Sequence, residues 1–280
     1  MESNKAFKDI IEEHLASGDT RLPAFNEIAL RIQQEIAKPD PAIEKIESII
    51  KVDQALTAQV LKMANTAFFR GLSKVETVRD AIVRLGIEQI SNIVILVAQK
   101  KIFASEDPFV REFMKKLWRH SVGTALGSAW LAKKSGFPQI SSQAFVAGLL
   151  HDIGKLFLLT VIEAIRDKNP KEFNPSKDFI QEITDGLHTE QGWLLTQNWN
   201  LPEAYCMVAR DHHNETFDPR NALLLLVRMV DKTCNKMGIS IHEPMQSILV
   251  TAPEAGALGL DEIDLAELEI MLEDAPLLKV

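Results

Sequence analysis

The sequence predicts an all-α protein built as a two-part helical bundle, and three observations carry that expectation. Apolar residues return at intervals of three and four rather than two, the helical period. Neither an internal repeat nor a low-complexity segment interrupts the pattern. The stretch 144–162, AFVAGLLHDIGKLFLLTVI, reads as one long helix apolar almost all round, which belongs in the middle of a domain.

The elements follow in order. Leu22-Pro23 opens a helix over 25–36 with Ile28, Ile32 and Ile36 on one stripe, and Lys38-Pro39-Asp40-Pro41 stops it. A short helix over 42–52 follows. Asp53 is placed to cap the next, in which Leu56, Val60, Met63 and Ala64 share a face until Asn65 and Gly71 break it. Two helices, 77–85 and 87–101, are hinged at Gly86, and Ile93-Val94-Ile95-Leu96-Val97 makes the second a deeply packed one. Ser105-Glu-Asp-Pro108 is the best boundary in the chain, so the expected parts are 1–106 and 107–280. Helix 109–135 carries Trp118, His120 and Trp130 and is closed by Gly136-Phe-Pro138, and Ser141-Ser142 should cap the central helix. After a loop from Pro170 to Pro175, helices are expected over 178–199, from Leu201-Pro202 to His213, and over 222–237. An acidic amphipathic helix, 261–278, should dock on the body. Trp118, Trp130, Trp193 and Trp199 are spaced as core residues.

Composition narrows the function classes. At 280 residues with 46% hydrophobic and 25% charged content, the chain can bury a sizeable core. A net charge of -8 without a long Lys/Arg run argues against a general affinity for nucleic acid or for an acidic membrane surface. The N-terminal stretch is charged at helical spacing and lacks the features of a signal peptide, while apolar runs such as 93–98 and 222–227 end well short of a bilayer span. Cys206 and Cys234 make no metal-binding pair by spacing, so buried or free thiols in a reducing cytoplasm are expected.

The candidate site begins in the central helix. His151, Asp152 and Lys155 are the only ionisable residues there, at spacings that bring all three toward one side, with Gly154 leaving room for a close neighbour. A carboxylate among leucines needs a partner charge, hydrogen bonds or a metal ion. An adjacent His-Asp pair offers an imidazole and a hard oxygen to one divalent ion. His120, His188, His212, His213 and Asp231 lie on or at the ends of other apolar helices and could join them. Singly, each histidine reads as a core residue donating to a carbonyl or as a surface residue rather than as a ligand, and jointly that reading weakens. Asp231, following Leu223-Leu-Leu-Leu-Val-Arg-Met-Val230, is the strongest pointer to a cation.

His120, His151-Asp152 and Asp231 occur in the order of the HD superfamily of metal-dependent phosphohydrolases, which the second half resembles. The phrases His151-Asp-Ile-Gly-Lys155, His188-Thr-Glu-Gln-Gly192 and Leu201-Pro202 followed by His212-His213 are similar to the two-metal HD-GYP branch. In the first half, Leu22-Pro23-Ala-Phe25, Leu56-Thr-Ala58, Leu61-Lys-Met-Ala-Asn65 and Ala81-Ile-Val-Arg-Leu85-Gly86 resemble HDOD domains, HD-related output modules of bacterial signalling proteins. The chain departs from the HD-GYP pattern at Lys116, where that branch has a glutamate. It departs again after His213, where Asn-Glu-Thr-Phe-Asp-Pro219 replaces a Gly-Tyr-Pro loop, so HD-GYP-type cyclic dinucleotide hydrolysis is not implied.

The resemblance implies an HD-type metal site in the C-terminal half and two readings of its use. In the first, the chain is a bacterial signalling module acting by contacts with signalling proteins in trans, its metal structural or vestigial. In the second it is a metal-dependent phosphohydrolase acting on a phosphorylated small molecule or nucleotide. His120, His151, Asp152 and Asp231 would hold one ion, and His188, His212 and His213, with Asp152 bridging, a second. Iron or manganese suits the mixed nitrogen and oxygen set, and no organic cofactor is implied. Lys155 would steady the phosphoryl oxygens in the catalytic reading beside Asp152, or simply pair with Asp152.

Overall fold

In a computed structural model, residues 9–11, 13, 15, 23–36, 38–66, 74–168 and 173–278 are described. Leu22, Gly71 and Pro170, named above as boundaries, and His14 lie outside them. Among the described residues every regular element is helical. The chain divides into two compact units, one of Ala24–Ile102 with Glu273–Val280 and the other of Met1–Pro23 with Phe103–Leu272.

In the first unit, α1 (Glu27–Ile36), α2 (Ile43–Lys51), α3 (Gln54–Ala64) and α4 (Val78–Leu85) pack around α5 (Ile87–Gln99). Asn26 starts α1, its Oδ1 accepting from Ile28 N at 2.9 Å. Asp53 caps α3 as its position predicts, accepting from Leu56 N at 3.0 Å. Gly86 takes φ +83° between α4 and α5, a backbone conformation that a β-carbon disfavours, so the hinge falls on the residue that tolerates it. Ile93 to Val97 are all buried, which makes α5 the apolar axis of its unit.

The second unit is built on α6 (Pro108–Lys134), against which α7 (Ser141–Leu150), α8 (Ile153–Lys168) and α11 (Ala222–Lys236) pack. The layer is completed by α9 (Lys177–Asn198), which packs on α8, and by α10 (Glu203–Asp211), which packs on α9 and α7. The polar run before α6 is an ordered cap. Asp107 accepts from Phe109 N at 2.7 Å, and Glu163 Oε1 accepts from Ser105 Oγ at 2.6 Å and Glu106 N at 3.0 Å. The segment Pro138–Lys168 is long and apolar enough to cross a membrane by length and composition, but 94% of its most apolar window is buried inside the protein. It is the core of this unit.

Four expectations need correction. The central stretch is not one helix: it breaks at His151–Asp152 into α7 and α8. There His151 Nδ1 donates to Gly148 O at 2.8 Å, taking an acceptor that an unbroken helix would use for the backbone N–H four residues on. Ser141-Ser142 does not cap α7, since Ile140 precedes it without a side-chain cap and Ser141 Oγ donates to Ala129 O on α6 at 3.0 Å. All four tryptophans are only half-buried; Trp199 Nε1 donates to Pro23 O at 2.8 Å, whereas Trp193 Nε1 is buried without a hydrogen-bond partner among the described residues. Finally the tail is not one helix over 261–278. A short α12 (Pro253–Leu258), ended by Gly259 at φ +68°, precedes α13 (Glu262–Asp274), and Pro276–Leu278 is a separate 3₁₀ turn. Helix α13 docks through buried Leu265, Leu268 and Leu272.

Candidate metal centre

Five stretches of the second unit deliver side chains to one point. His120 comes from the middle of α6, His151 and Asp152 from the α7–α8 break, and His188 from α9. His212 caps the end of α10 with His213 after it, and Asp231 comes from α11. Two glycines make the approach possible. A β-carbon at Gly148 would lie 2.7 Å from Thr124 O, so α7 touches the backbone of α6. A β-carbon at Gly154 would overlap His188 O and lie 2.6 Å from Gly192 N, so α8 and α9 cross backbone to backbone beside His188.

Asp152 is the hub, 1% exposed. Its Oδ2 lies 3.4 Å from His120 Nε2 and 3.6 Å from His151 Nε2, and accepts from Lys155 Nζ at 2.9 Å. Its Oδ1 lies 3.3 Å from His188 Nε2 and 3.4 Å from His212 Nε2. Asp231 Oδ1 is 3.2 Å from His120 Nε2 and 3.8 Å from His151 Nε2. The side chains form two sets, Asp152 with His188, His212 and His213, and His120 with His151 and Asp231. Within each set the ligand atoms lie inside 4.8 Å of one another. Every residue predicted for the site is thus brought into it. All are buried except His213, which forms the exposed edge.

The imidazoles are oriented by the backbone. Nδ1 of His120 faces Ile239 O at 2.7 Å, that of His188 faces Asp185 O at 3.0 Å, and that of His212 faces Val208 O and Ala209 O at 3.1 and 3.0 Å. With His151 Nδ1 on Gly148 O, four rings commit Nδ1–H to carbonyls and turn Nε2 inward. A neutral ring so tautomerised has only a lone pair at Nε2. His120 Nε2 nevertheless lies 3.1 Å from His151 Nε2, and His188 Nε2 lies 3.2 Å from His212 Nε2. Two lone pairs face each other comfortably only with a proton or a cation beside them.

Charge follows the same geometry. Burial opposes a charged His120, but hydrogen bonds to Asp152 and Asp231 outweigh it and lift its pKa to about 9. Burial lowers that of His151 against the pull of Asp152, and burial with the nearby Lys155 charge holds His188 well below the ordinary range. His213, although exposed at the edge, is pushed down to about 4, mainly by desolvation against the cluster and then by His212. Burial raises Asp152 and Asp231, yet both end well below the usual carboxylate range, Asp152 through Lys155 and His151, Asp231 through His120 and His151. Lys155 is held above its ordinary value by Asp152 despite burial.

The donor set fits a divalent ion. Asp152 Oδ1 is a buried carboxylate oxygen without a hydrogen-bond partner, between two inward Nε2 atoms, a placement that is costly unless a cation shares it. Sequence reasoning missed the supports around the cluster. Arg228 sits one turn before Asp231, where it reads as part of an apolar helix, and Glu254 holds it at 2.7 Å. Asp185, one turn before His188, lies 3.9 Å from Lys155 Nζ and 3.1 Å from His242 Nε2. The helical spacing to a named ligand was the available signal in both cases.

Comparison with known proteins identifies the family of the chain. The family model of the HDOD domain matches residues 22–215. An uncharacterized protein of Treponema pallidum is 30% identical over 203 residues, covering 69% of this chain and 38% of that protein. The cyclic di-GMP phosphodiesterase CdgJ of Vibrio cholerae is 26% identical over 190 residues, covering 64% of this chain and 40% of that protein. The chain therefore spans about two fifths of the length of these relatives. In fold it is similar to an HDOD domain protein with unknown function from Geobacter sulfurreducens, with a TM-score of 0.73, 23% identity, and 95% and 97% of the two chains covered. With its family pattern matched over most of its length, the chain belongs to the HDOD domain family.

Proposed function

We propose that this HDOD chain is a signalling module that acts through protein partners in trans and keeps an HD-type centre for one or two divalent ions. The observation that carries the metal part is the convergence of inward Nε2 atoms on a bare carboxylate oxygen of Asp152. His120, His151 and Asp231 with Asp152 would hold one ion, and His188, His212 and His213 with Asp152 the other. Iron or manganese suits this mixture of imidazole and carboxylate. The regulatory part is supported by the exposed Lys116 where a two-metal hydrolase of the HD-GYP kind has a carboxylate, and by burial of every cluster residue but His213.

A phosphohydrolase is the second reading, and Lys155 favours it. The residue is only 6% exposed, and its ammonium, held by Asp152 at 2.9 Å, can draw an anionic group toward the cluster. When bound, divalent ions supply Lewis acidity toward a phosphoryl group. Asp152 would then keep both the metal donors and Lys155 in register, while the exposed His213 edge admits the anion.

Metal analysis of protein purified without chelator, followed by turnover assays on phosphomonoesters, nucleotides and cyclic dinucleotides with added manganese, separates the readings. Bound metal without turnover is expected. Turnover that disappears in a folded Asp152→Ala variant would replace the signalling reading by the hydrolase. A chain that binds no metal would overturn both uses of the site.

A further inference from the structure

The turn that carries His212 and His213 is gripped by a guanidinium from another helix. Arg228, 6% exposed, lies on α11 one turn before Asp231. Its Nη1 donates to His212 O at 2.7 Å, to Asn214 O at 2.8 Å and to Asp211 O at 3.3 Å. These are carbonyls at and just beyond the end of α10, where an α-helix runs out of backbone donors, and only Asp211 O among them also accepts from a described backbone N–H, that of Asn214 at 3.0 Å.

The guanidinium cannot swing away, because it is braced elsewhere. Arg228 Nε donates to Glu254 Oε1 at 2.7 Å, and the other oxygen of this fully buried carboxylate accepts from Lys232 Nζ at 2.7 Å. The ring of Phe217 lies 4.3 Å from the guanidinium carbon. One α11 turn therefore presents Asp231 to the first set of ligands and locks the loop that presents the second set.

His212 and His213 depend on that lock to different degrees. His212 has its own anchor, since its Nδ1 faces Val208 O and Ala209 O. For the ring of His213, the ring contacts found among the described residues are with His188 and His212, and no hydrogen bond of its side chain is found among them. Its place rests on the backbone of the turn.

We infer that Arg228, braced by Glu254, is the positioning residue of His213, and that it governs the ion held by His188, His212 and His213 while leaving the His120, His151 and Asp231 set intact. The inference rests on the metal reading above. Arg228→Lys keeps the charge but loses the planar fork that reaches the turn and Glu254 together. Manganese(II) titration followed by electron paramagnetic resonance counts bound ions and registers the magnetic coupling of a bound pair. Amide hydrogen exchange on metal-free protein reads the turn itself.

The wild-type chain should take up two ions. In Arg228→Lys the first should bind as before, the second should weaken roughly 10-fold to 100-fold with loss of the coupled signal, and exchange over 211–215 should accelerate. If that variant does not fold, Lys232→Gln, which loosens Glu254 from a more exposed position, should show the same selective effect at smaller size. Unchanged second-ion affinity in a folded variant, or equal weakening of both ions, would overturn the inference. A wild-type chain that takes up no manganese would overturn the metal reading and this role with it. Unchanged exchange over 211–215 would refute the clamp alone, so the two failures are distinguishable.

Discussion

Adding one methyl group at Gly154 should do more damage than its size suggests. A β-carbon there would overlap His188 O and sit 2.6 Å from Gly192 N and 2.8 Å from His188 C. All three neighbours are backbone atoms of α9, so no side chain can rotate to make room. Restoring van der Waals distance requires α8 and α9 to part by about 1 Å, and overpacking of this kind costs about 3 kcal/mol at the upper end of its usual range. The same displacement carries His188 away from Asp152, whose Oδ1 is now 3.3 Å from the ring. Gly186, also on α9, provides the control, because a β-carbon there meets nothing within 4 Å. Gly186→Ala should stabilise by about 1 kcal/mol through the lower backbone entropy of alanine. Urea unfolding of both metal-free variants, with metal uptake of each, measures the contrast. If Gly154→Ala unfolds at the wild-type midpoint, or binds metal as Gly186→Ala does, the close crossing does not position His188.

Metal affinity should depend on pH through His120. Because its pKa is raised to about 9, an ion entering at pH 7 must displace its proton, so apparent affinity should climb about tenfold per pH unit and flatten near pH 9. Calorimetry in buffers of different ionisation enthalpy would detect one proton released per first ion, and the absence of release would refute the assignment. Chelation should lower the melting temperature by only a few degrees and leave a cooperative transition, since ligand at about 100 times its dissociation constant contributes about 2.7 kcal/mol. A chelated chain without cooperative unfolding would contradict this. Glu254→Gln should destabilise by about 3 kcal/mol by leaving the buried Arg228 uncompensated, read by chemical denaturation. The carboxyl pKa of Glu254 is lowered, burial being outweighed by Lys232 and Arg228, so its contribution is present at neutral pH. It should fade as pH falls through and below the ordinary carboxylate range.

The helices were legible because apolar periodicity and capping residues act locally. Asp53 and Gly86 ended or began elements where their chemistry required. The donors of the centre were legible for a related reason: a buried charge is conspicuous against leucines, as Asp152 and Asp231 are. What could not be read is whatever depends on contacts between distant segments. His151 breaks the central helix by taking Gly148 O, while its Nε2 is turned toward the α6 and α11 donors, and neither apolar period nor propensity records that competition. Ser141 likewise looks like a cap until Ala129 O on α6 is close enough to claim its hydroxyl. Arg228 and Glu254 lie 26 residues apart and announce nothing separately. Their role exists only after α11 and the end of α10 have met.

The charges explain how such a centre can be held in a folding core. Asp152 and Asp231 are ionised, and Lys155 and His120 are both held in their charged forms by those carboxylates. Two anions and two cations offset one another within the cluster, so folding without a metal is expected, with Asp152 Oδ1 the oxygen left for an added cation. A divalent ion entering the His120 set can displace the His120 proton, exchanging one positive charge for two. A second ion beside His188 would find no comparable proton to displace on that ring, because burial and the nearby Lys155 charge hold its pKa well below the ordinary range. The charge of such an ion would go uncompensated in a buried site, where an accompanying anion would offset it. His213 is the exposed member of the cluster and feels the Lys155 charge, so that edge is the side from which such an anion could come. On the metal reading proposed above, loading of the second position would be coupled to the anions around the protein, while the fold stands on its own charges.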